Sequence, residues 1–214
     1  MIKDVTAASC VEFAIKTEEI GAELYQGLPP GGIAVANADD ARMLRRAQAS
    51  GRHLITFARG RGRRGDVVVL EVLSHGESGL AFLLGIGNRE LEVRLPLVGE
   101  HNAVNAAAAA AAAVALGCSD REIVRGLSAV RPVGRRLRLE PLGSGVFLVD
   151  DCYNANPLSM RAALETLSAL AASRGGRAVE LGTLQQGAFF GEIRLLTGAP
   201  HVADVSAVTE LAVV

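Results

Sequence analysis

Short stretches of the 214-residue chain gather side chains whose types and spacing could do chemistry. The first runs Gly99-Glu100-His101-Asn102-Ala103-Val104-Asn105-Ala106-Ala107. Asn102 and Asn105 stand three residues apart, so on a helix they share one face near its start. Each carboxamide offers donors and an acceptor, the complement a purine edge needs. The plainer reading is a pair of asparagines serving the helix N-terminus. The second stretch is Val149-Asp150-Asp151-Cys152-Tyr153-Asn154-Ala155-Asn156-Pro157, with Ser159 and Arg161 just beyond. There an apolar strand ends in carboxylates and amides, and a helix follows. Ligands of open α/β sheets gather at the carboxyl ends of strands, although an Asx-rich turn capping a helix uses the same residue types. The third is Gly134-Arg135-Arg136-Leu137, where an arginine at a domain junction can clamp a phosphate or simply be a linker charge. The Arg/Gly loop 59–65 either grips phosphate or RNA or is a solvated loop, and the solvated loop is the reading we favour.

The elements that must position these residues follow from periodicity and punctuation. Ile20, Leu24 and Leu28 repeat at helical spacing over 15–28, and Pro29-Pro30-Gly31-Gly32 ends that helix. Residues 33–36 read as a buried strand. Asn37-Ala38-Asp39-Asp40 can cap a helix over 40–50, and 53–57 is a second strand. Alternating helix and strand favours parallel pairing. Strand-like runs at 66–73, 79–85 and 90–97, separated by Gly-rich turns, read as a small meander inserted in this lobe. A helix over 101–117 ends at Gly117, and Ser119-Asp120-Arg121-Glu122 forms a capping box for a helix to about residue 129. Arg131-Pro132 breaks the pattern. Strand, helix, strand, helix and strand are then expected at 145–149, 158–173, 177–181, 187–198 and 210–214. The expected fold is therefore α/β in two lobes, divided near 135–140.

Composition narrows the function classes. Half of the residues are hydrophobic and 21% are charged, enough apolar material for a packed core. A net charge of −1, 4% aromatics and no Trp argue against a nucleic-acid partner. Cys10, Cys118 and Cys152 show neither a CxxC nor a zinc-ligand spacing, and free thiols suit a reducing cytoplasm. No targeting segment is visible, and the apolar run from Ala106 to Leu116 is too short to cross a bilayer. A cytoplasmic protein without a membrane partner is the expectation.

Taken together, His101-Asn102-x-x-Asn105-Ala-Ala, Arg131-Pro132-Val133 with Arg136-Leu137, and Asp150-Asp151-Cys152-Tyr153-Asn154-Ala155-Asn156-Pro157-x-Ser159-Met160 resemble the Mur ligases. The Asp-Asp-x-Tyr-Asn-Ala-Asn-Pro piece is similar to their D-alanyl-D-alanine-adding branch, and the segment from Gly27 to Asp40 is similar to the family as well. The resemblance implies an ATP-dependent, magnesium-requiring amide ligase of peptidoglycan precursor synthesis. It implies a central ATP-binding domain over 1–136 and part of a Rossmann-like C-terminal domain over 137–214. By it, Asn102 and Asn105 face the adenine, His101 belongs to the ATP site with them, Arg136 lies at the phosphates or ribose, and Asp151 at the ribose. Asn154, Asn156 and Ser159 lie near the nucleotide and the incoming amine. UDP-muramoyl-peptide and D-Ala-D-Ala are the implied substrates.

The departures from the family's pattern carry equal information. No Gly-x-x-x-x-Gly-Lys-[Ser/Thr] occurs anywhere in the chain, and that loop is what cradles nucleotide phosphates. Cys10 stands where the family's metal-binding His is expected, and Gly21 where its carbamylated Lys is expected. Leu181-Gly182-Thr183-Leu184 replaces the family's Leu-Gly-Asp-Met. The expectation is a ligase relative inactive by itself. The alternative is a non-catalytic nucleotide-binding or protein-interaction module of the same ancestry.

Overall fold

The computed structural model describes residues 23–62, 64–134, 136–143, 146–151, 153 and 157–175. The sequence expectations at Cys10, Gly21, Asn154, Asn156, 177–181, 181–184, 187–198 and 210–214 lie outside the described residues. Contacts divide the chain into two compact units, Met1–Arg131 and Pro132–Val214.

The first unit carries β1 (Ile33–Asn37), α1 (Ala41–Ala49), β2 (His53–Arg59), β3 (Val67–Gly76), β4 (Gly79–Ile86), β5 (Arg89–Leu95), α2 (His101–Ala115) and α3 (Asp120–Ser128). The five strands form one sheet in sequence order, β1-β2-β3-β4-β5. β1 pairs parallel with β2, and β2 with β3; the β3-β4 and β4-β5 pairings are antiparallel. The three strands expected as a small meander form one, β3-β4-β5, and the parallel pairing of β2 with β3 joins it to the first two strands in a single sheet.

Alternation along the strands sends side chains to two cores. Ile33 and Val35 face a large core built on Phe57, Val67, Val69, Phe82, Leu84 and Val93. Ala34 and Ala36 face the other side, where Tyr25, Ala47, Leu28, Met43 and Leu54 pack. α2 lies against β1, β2, β3 and β4, α3 against β5, and α1 against β1. Residues 23–26 are helical, and Tyr25 ties them to the sheet by donating its hydroxyl to the Val35 carbonyl at 3.1 Å. Burial, and secondarily the Asp40 carboxylate, push the Tyr25 phenol above its ordinary pKa.

β2 and β3 run parallel although residues 60–66 alone connect them. Parallel neighbours ordinarily need a crossover of about a dozen residues. The short return works because Gly60 and Gly62 take φ of 112° and 83°, the left-handed side of backbone space. It is fastened by Gly60 N–H to the Val69 carbonyl at 2.8 Å. At its far end Asp66 Oδ2 accepts from the Thr56 amide at 2.7 Å and the Thr56 hydroxyl at 2.8 Å. Gly60 and Gly62 of the Arg/Gly loop thus serve the topology.

The second unit contains β6 (Arg138–Gly143) and β7 (Val146–Asp150), an antiparallel pair, and α4 (Pro157–Ser173). β7 and α4 lie where the sequence expects them. β6 was hidden by Pro141, which usually demotes a strand. Here the ladder shifts register between Pro141 and Gly143, a bulge that tolerates the missing N–H. The Arg174 guanidinium sits 3.5 Å from the Phe147 ring centroid and so ties the end of α4 to β7.

Two expected outcomes test this architecture. Gly79 has φ of 114°, and a Cβ there would lie 2.1 Å from the Leu95 carbonyl oxygen, a backbone atom that cannot step aside. Gly79→Ala should destabilise the protein by about 3 kcal/mol in urea unfolding. At α3, the Ser119 hydroxyl and then the Ser119 amide hold the Glu122 carboxyl below its ordinary value of 4.5. The folded value is the lower one, so this support is full above pH 4.5 and fades as pH falls through the folded value. Protection of the amides at the start of α3, taken as exchange relative to the intrinsic rate at each pH, should fall below pH 4.5, and Glu122→Gln should flatten that dependence.

Candidate functional site

The sequence-expected residues fall into two groups, one in each unit. In the first unit they sit at the start of α2. This helix is built almost wholly of alanine, the strongest helix former, and buries Ala103, Ala106, Ala107, Ala108, Ala110 and Ala111. Asn102 donates its Nδ2 to the Val98 carbonyl at 2.7 Å, four residues back. Asn105 donates its Nδ2 to Asn102 Oδ1 at 3.0 Å. The chain of bonds from Asn105 through Asn102 to the backbone fixes both amide planes. Asn102 thereby uses one N–H and one lone pair of its carboxamide within the turn, and Asn105 Oδ1 accepts no hydrogen bond among the described residues. His101 is half-buried beside them.

Sequence reasoning did not bring together the charged residues around this turn. Glu100, immediately before α2, pairs with Arg59 at the carboxyl end of β2. His75 Nε2 lies 3.9 Å from the second Glu100 oxygen. The Arg59 amide donates to Asp39 Oδ2 at 2.8 Å, and the Asp39 amide to Asn37 Oδ1 at 2.9 Å. Asp40 caps α1 through the Arg42 and Met43 amides. The carboxyl ends of β1 and β2 and the start of α2 thus form one polar edge. The available signal was positional, since Asn37-Ala38-Asp39-Asp40 and Arg59 each close an apolar strand. Arg61 pairs with Glu71 at 3.0 Å and with Glu90 at 3.8 Å. Arg59 and Arg61 therefore already have carboxylate partners within the unit.

In the second unit the turn before β6 and the end of β7 come together. Arg138 pairs with Asp150 in the ladder, which places Leu137 beside Asp151. The Leu137 amide donates to Asp151 Oδ1 at 3.1 Å. The Arg136 guanidinium stacks over Tyr153, 4.1 Å from the ring centroid. Ser159 is the third residue of α4, which starts at Pro157, a residue suited to a first helical position. Among the described residues no group of three or more His, Cys, Asp or Glu could hold a metal ion. No helix there is long and apolar enough to cross a membrane.

This arrangement can be set beside known proteins. Residues 16–113 match the Mur ligase middle domain. The UDP-N-acetylmuramoyl-tripeptide–D-alanyl-D-alanine ligase of Mycobacterium bovis is 37% identical over 151 residues, which is 70% of this chain and 29% of that protein. A crystal structure of MurF from Acinetobacter baumannii aligns with TM-score 0.61 at 36% identity, covering 68% of this chain and 31% of that one. The MurF ligase of Thermotoga maritima in complex with ADP shares the fold, with TM-score 0.59 at 23% identity over 76% of this chain and 37% of that one. The chain belongs to the Mur ligase family and is α/β, as the sequence implied. It spans about a third of the length of the relatives it matches.

The two asparagines differ in what they hold up. Asn102→Ala leaves the Val98 carbonyl and the Asn105 amide without their partners, and should cost about 1–3 kcal/mol of stability. Asn105→Ala should cost less than about 1 kcal/mol. Denaturant unfolding of both variants checks the order.

Proposed function

We propose that this chain is the adenosine-binding part of a D-alanyl-D-alanine-adding Mur ligase, and that it does not ligate by itself. The observation that carries the reading is Asn105, an amide anchored through Asn102 at the start of α2 with its oxygen left to meet a ligand, on a Mur ligase middle domain. In the reaction implied, a peptide carboxylate attacks the γ-phosphorus of ATP and ADP leaves. The amine of D-Ala-D-Ala then attacks the acyl phosphate, forming the amide and releasing phosphate.

In this reading Asn102 and Asn105 serve the adenine, His101 belongs to the same ATP site, Arg136 serves a phosphate or ribose oxygen, and Asp151 the ribose. Asn154, Asn156 and Ser159 serve the side where UDP-muramoyl-peptide and D-Ala-D-Ala would meet. Bound magnesium would supply charge neutralisation at the phosphates, and none of the described residues is assigned to it. Phosphoryl transfer depends mostly on positioning and charge neutralisation, and the Gly-Lys-[Ser/Thr] loop for this purpose is not in the chain. The three widely spaced cysteines accord with work in the cytoplasm.

The test is a calorimetric titration of the full chain with ATP and with adenosine in magnesium buffer. Without a phosphate cradle the two should bind weakly, ATP less than about a hundredfold better, a gap of roughly 2.7 kcal/mol. A larger preference would reveal a phosphate site and overturn the reading. The chain mixed with UDP-muramoyl-tripeptide, D-Ala-D-Ala and ATP should release no ADP that depends on both substrates. Such release would contradict it.

A further inference from the structure

We propose that β5 is a homodimerisation edge, pairing antiparallel with β5 of a second copy of this chain about a two-fold axis at Val93. Nothing in this depends on a nucleotide. The five-stranded sheet has two edges, β1 and β5. At β1 the Val35 carbonyl is taken by the Tyr25 hydroxyl. At β5 the seven residues Arg89–Leu95 all pair with β4, without a register shift. An edge strand turns the N–H and C=O of alternate residues away from its one neighbour. Among the described residues no turn or loop backbone bonds to 89–95. The strand holds no Pro or Gly, and Pro96 follows it.

The order of the side chains decides what fits this edge. Glu90, Glu92 and Arg94 are exposed on one face, while Leu91, Val93 and Leu95 turn to the core. Charges on an edge ordinarily keep other strands away. Here their order makes the strand its own complement. Self-pairing about a two-fold must match core face to core face, so the axis passes through a residue. Centred on Leu91, it sets Glu90 against Glu92 twice. Centred on Glu92, it sets that carboxylate against itself. Centred on Val93, it sets Glu92 against Arg94 twice, Leu91 against Leu95 twice, and no like charges oppose. Opposite charges directly across a strand pair stabilise it, and like charges destabilise it. Arg94 can exchange partners at small cost. It meets Glu92 of its own strand at 3.3 Å, with the two side chains 83% and 52% exposed, and such a pair is worth little in water. Leu91 is half-buried and lines an open groove with Val124 of α3. The partner's Leu95 gives that groove an apolar cross-strand neighbour.

The test is sedimentation velocity of the full chain from about 1 μM to about 1 mM. The wild type should pass from monomer to dimer as concentration rises. Glu92→Arg and Arg94→Glu each oppose like charges at both symmetric positions, and each should weaken the dimer by about tenfold. An equal mixture of the two variants makes both pairs opposite again, and should restore the dimer to within about threefold of the wild type. That recovery also shows both variants to be folded. Glu90→Arg lies outside the paired stretch and should dimerise as the wild type does. A wild type that stays monomeric throughout overturns the proposal. So does a dimer indifferent to Glu92→Arg and Arg94→Glu, whose contact would lie elsewhere, or a mixture no tighter than its components. Loss of the dimer in Glu90→Arg would move the axis to Glu92 and overturn the axis proposed.

Discussion

Everything in the first unit depends on how closely α2 can approach the sheet. The helix brings small side chains, and the sheet brings the bulk. Ala103, Ala107 and Ala111 are fully buried against a surface that includes Phe82, Leu84, Val67, Val69 and Val93. Small against large is how an interior reaches crystal-like density, and it leaves no slack for a larger residue on that face. The register of α2 along the sheet then determines where its first turn ends. It ends with Glu100 against Arg59, at the carboxyl end of β2. Asn102 locks onto Val98 and Asn105 onto Asn102 as a consequence of that placement.

The second unit reaches a similar result by a different route. Its site residues hang from a two-stranded hairpin, which is a weak element in isolation. The ladder is prolonged beyond Arg138 and Asp150 by a backbone-to-carboxylate bond, and beyond that by a stacked guanidinium. A buried leucine in a strained backbone region accompanies this extension. Strain of that kind persists where surrounding contacts over-determine it.

Much of this was legible in the residues themselves. The apolar runs of β1 and β2 and the alternation of β5 read directly as strands, and the capping box of α3 stands where Ser119 and Glu122 place it. β6 was not legible, because Pro141 argues against a strand until the bulge beside it is known. The pairing of β2 with β3 was hidden because so short a parallel return is rare, and the glycines that permit it are interleaved with arginines that suggest a ligand. At the site, the spacing of Asn102 and Asn105 was visible, but their division of labour was not. It depends on which carbonyl the Asn102 amide finds, a matter of backbone geometry before the helix. The Arg59–Glu100 and Arg136–Tyr153 pairs join residues distant in sequence, and no local pattern announces them.

The central claim is that a nucleoside meets the chain at the first turn of α2, through Asn105 held by Asn102. Side-chain amide NMR signals of the two asparagines report on it directly during titration with adenosine. The account predicts a saturable shift of the Asn105 carboxamide signals, with a smaller shift at Asn102 relayed through their hydrogen bond. Saturation with shifts elsewhere in the chain and both asparagine side chains unmoved would contradict it.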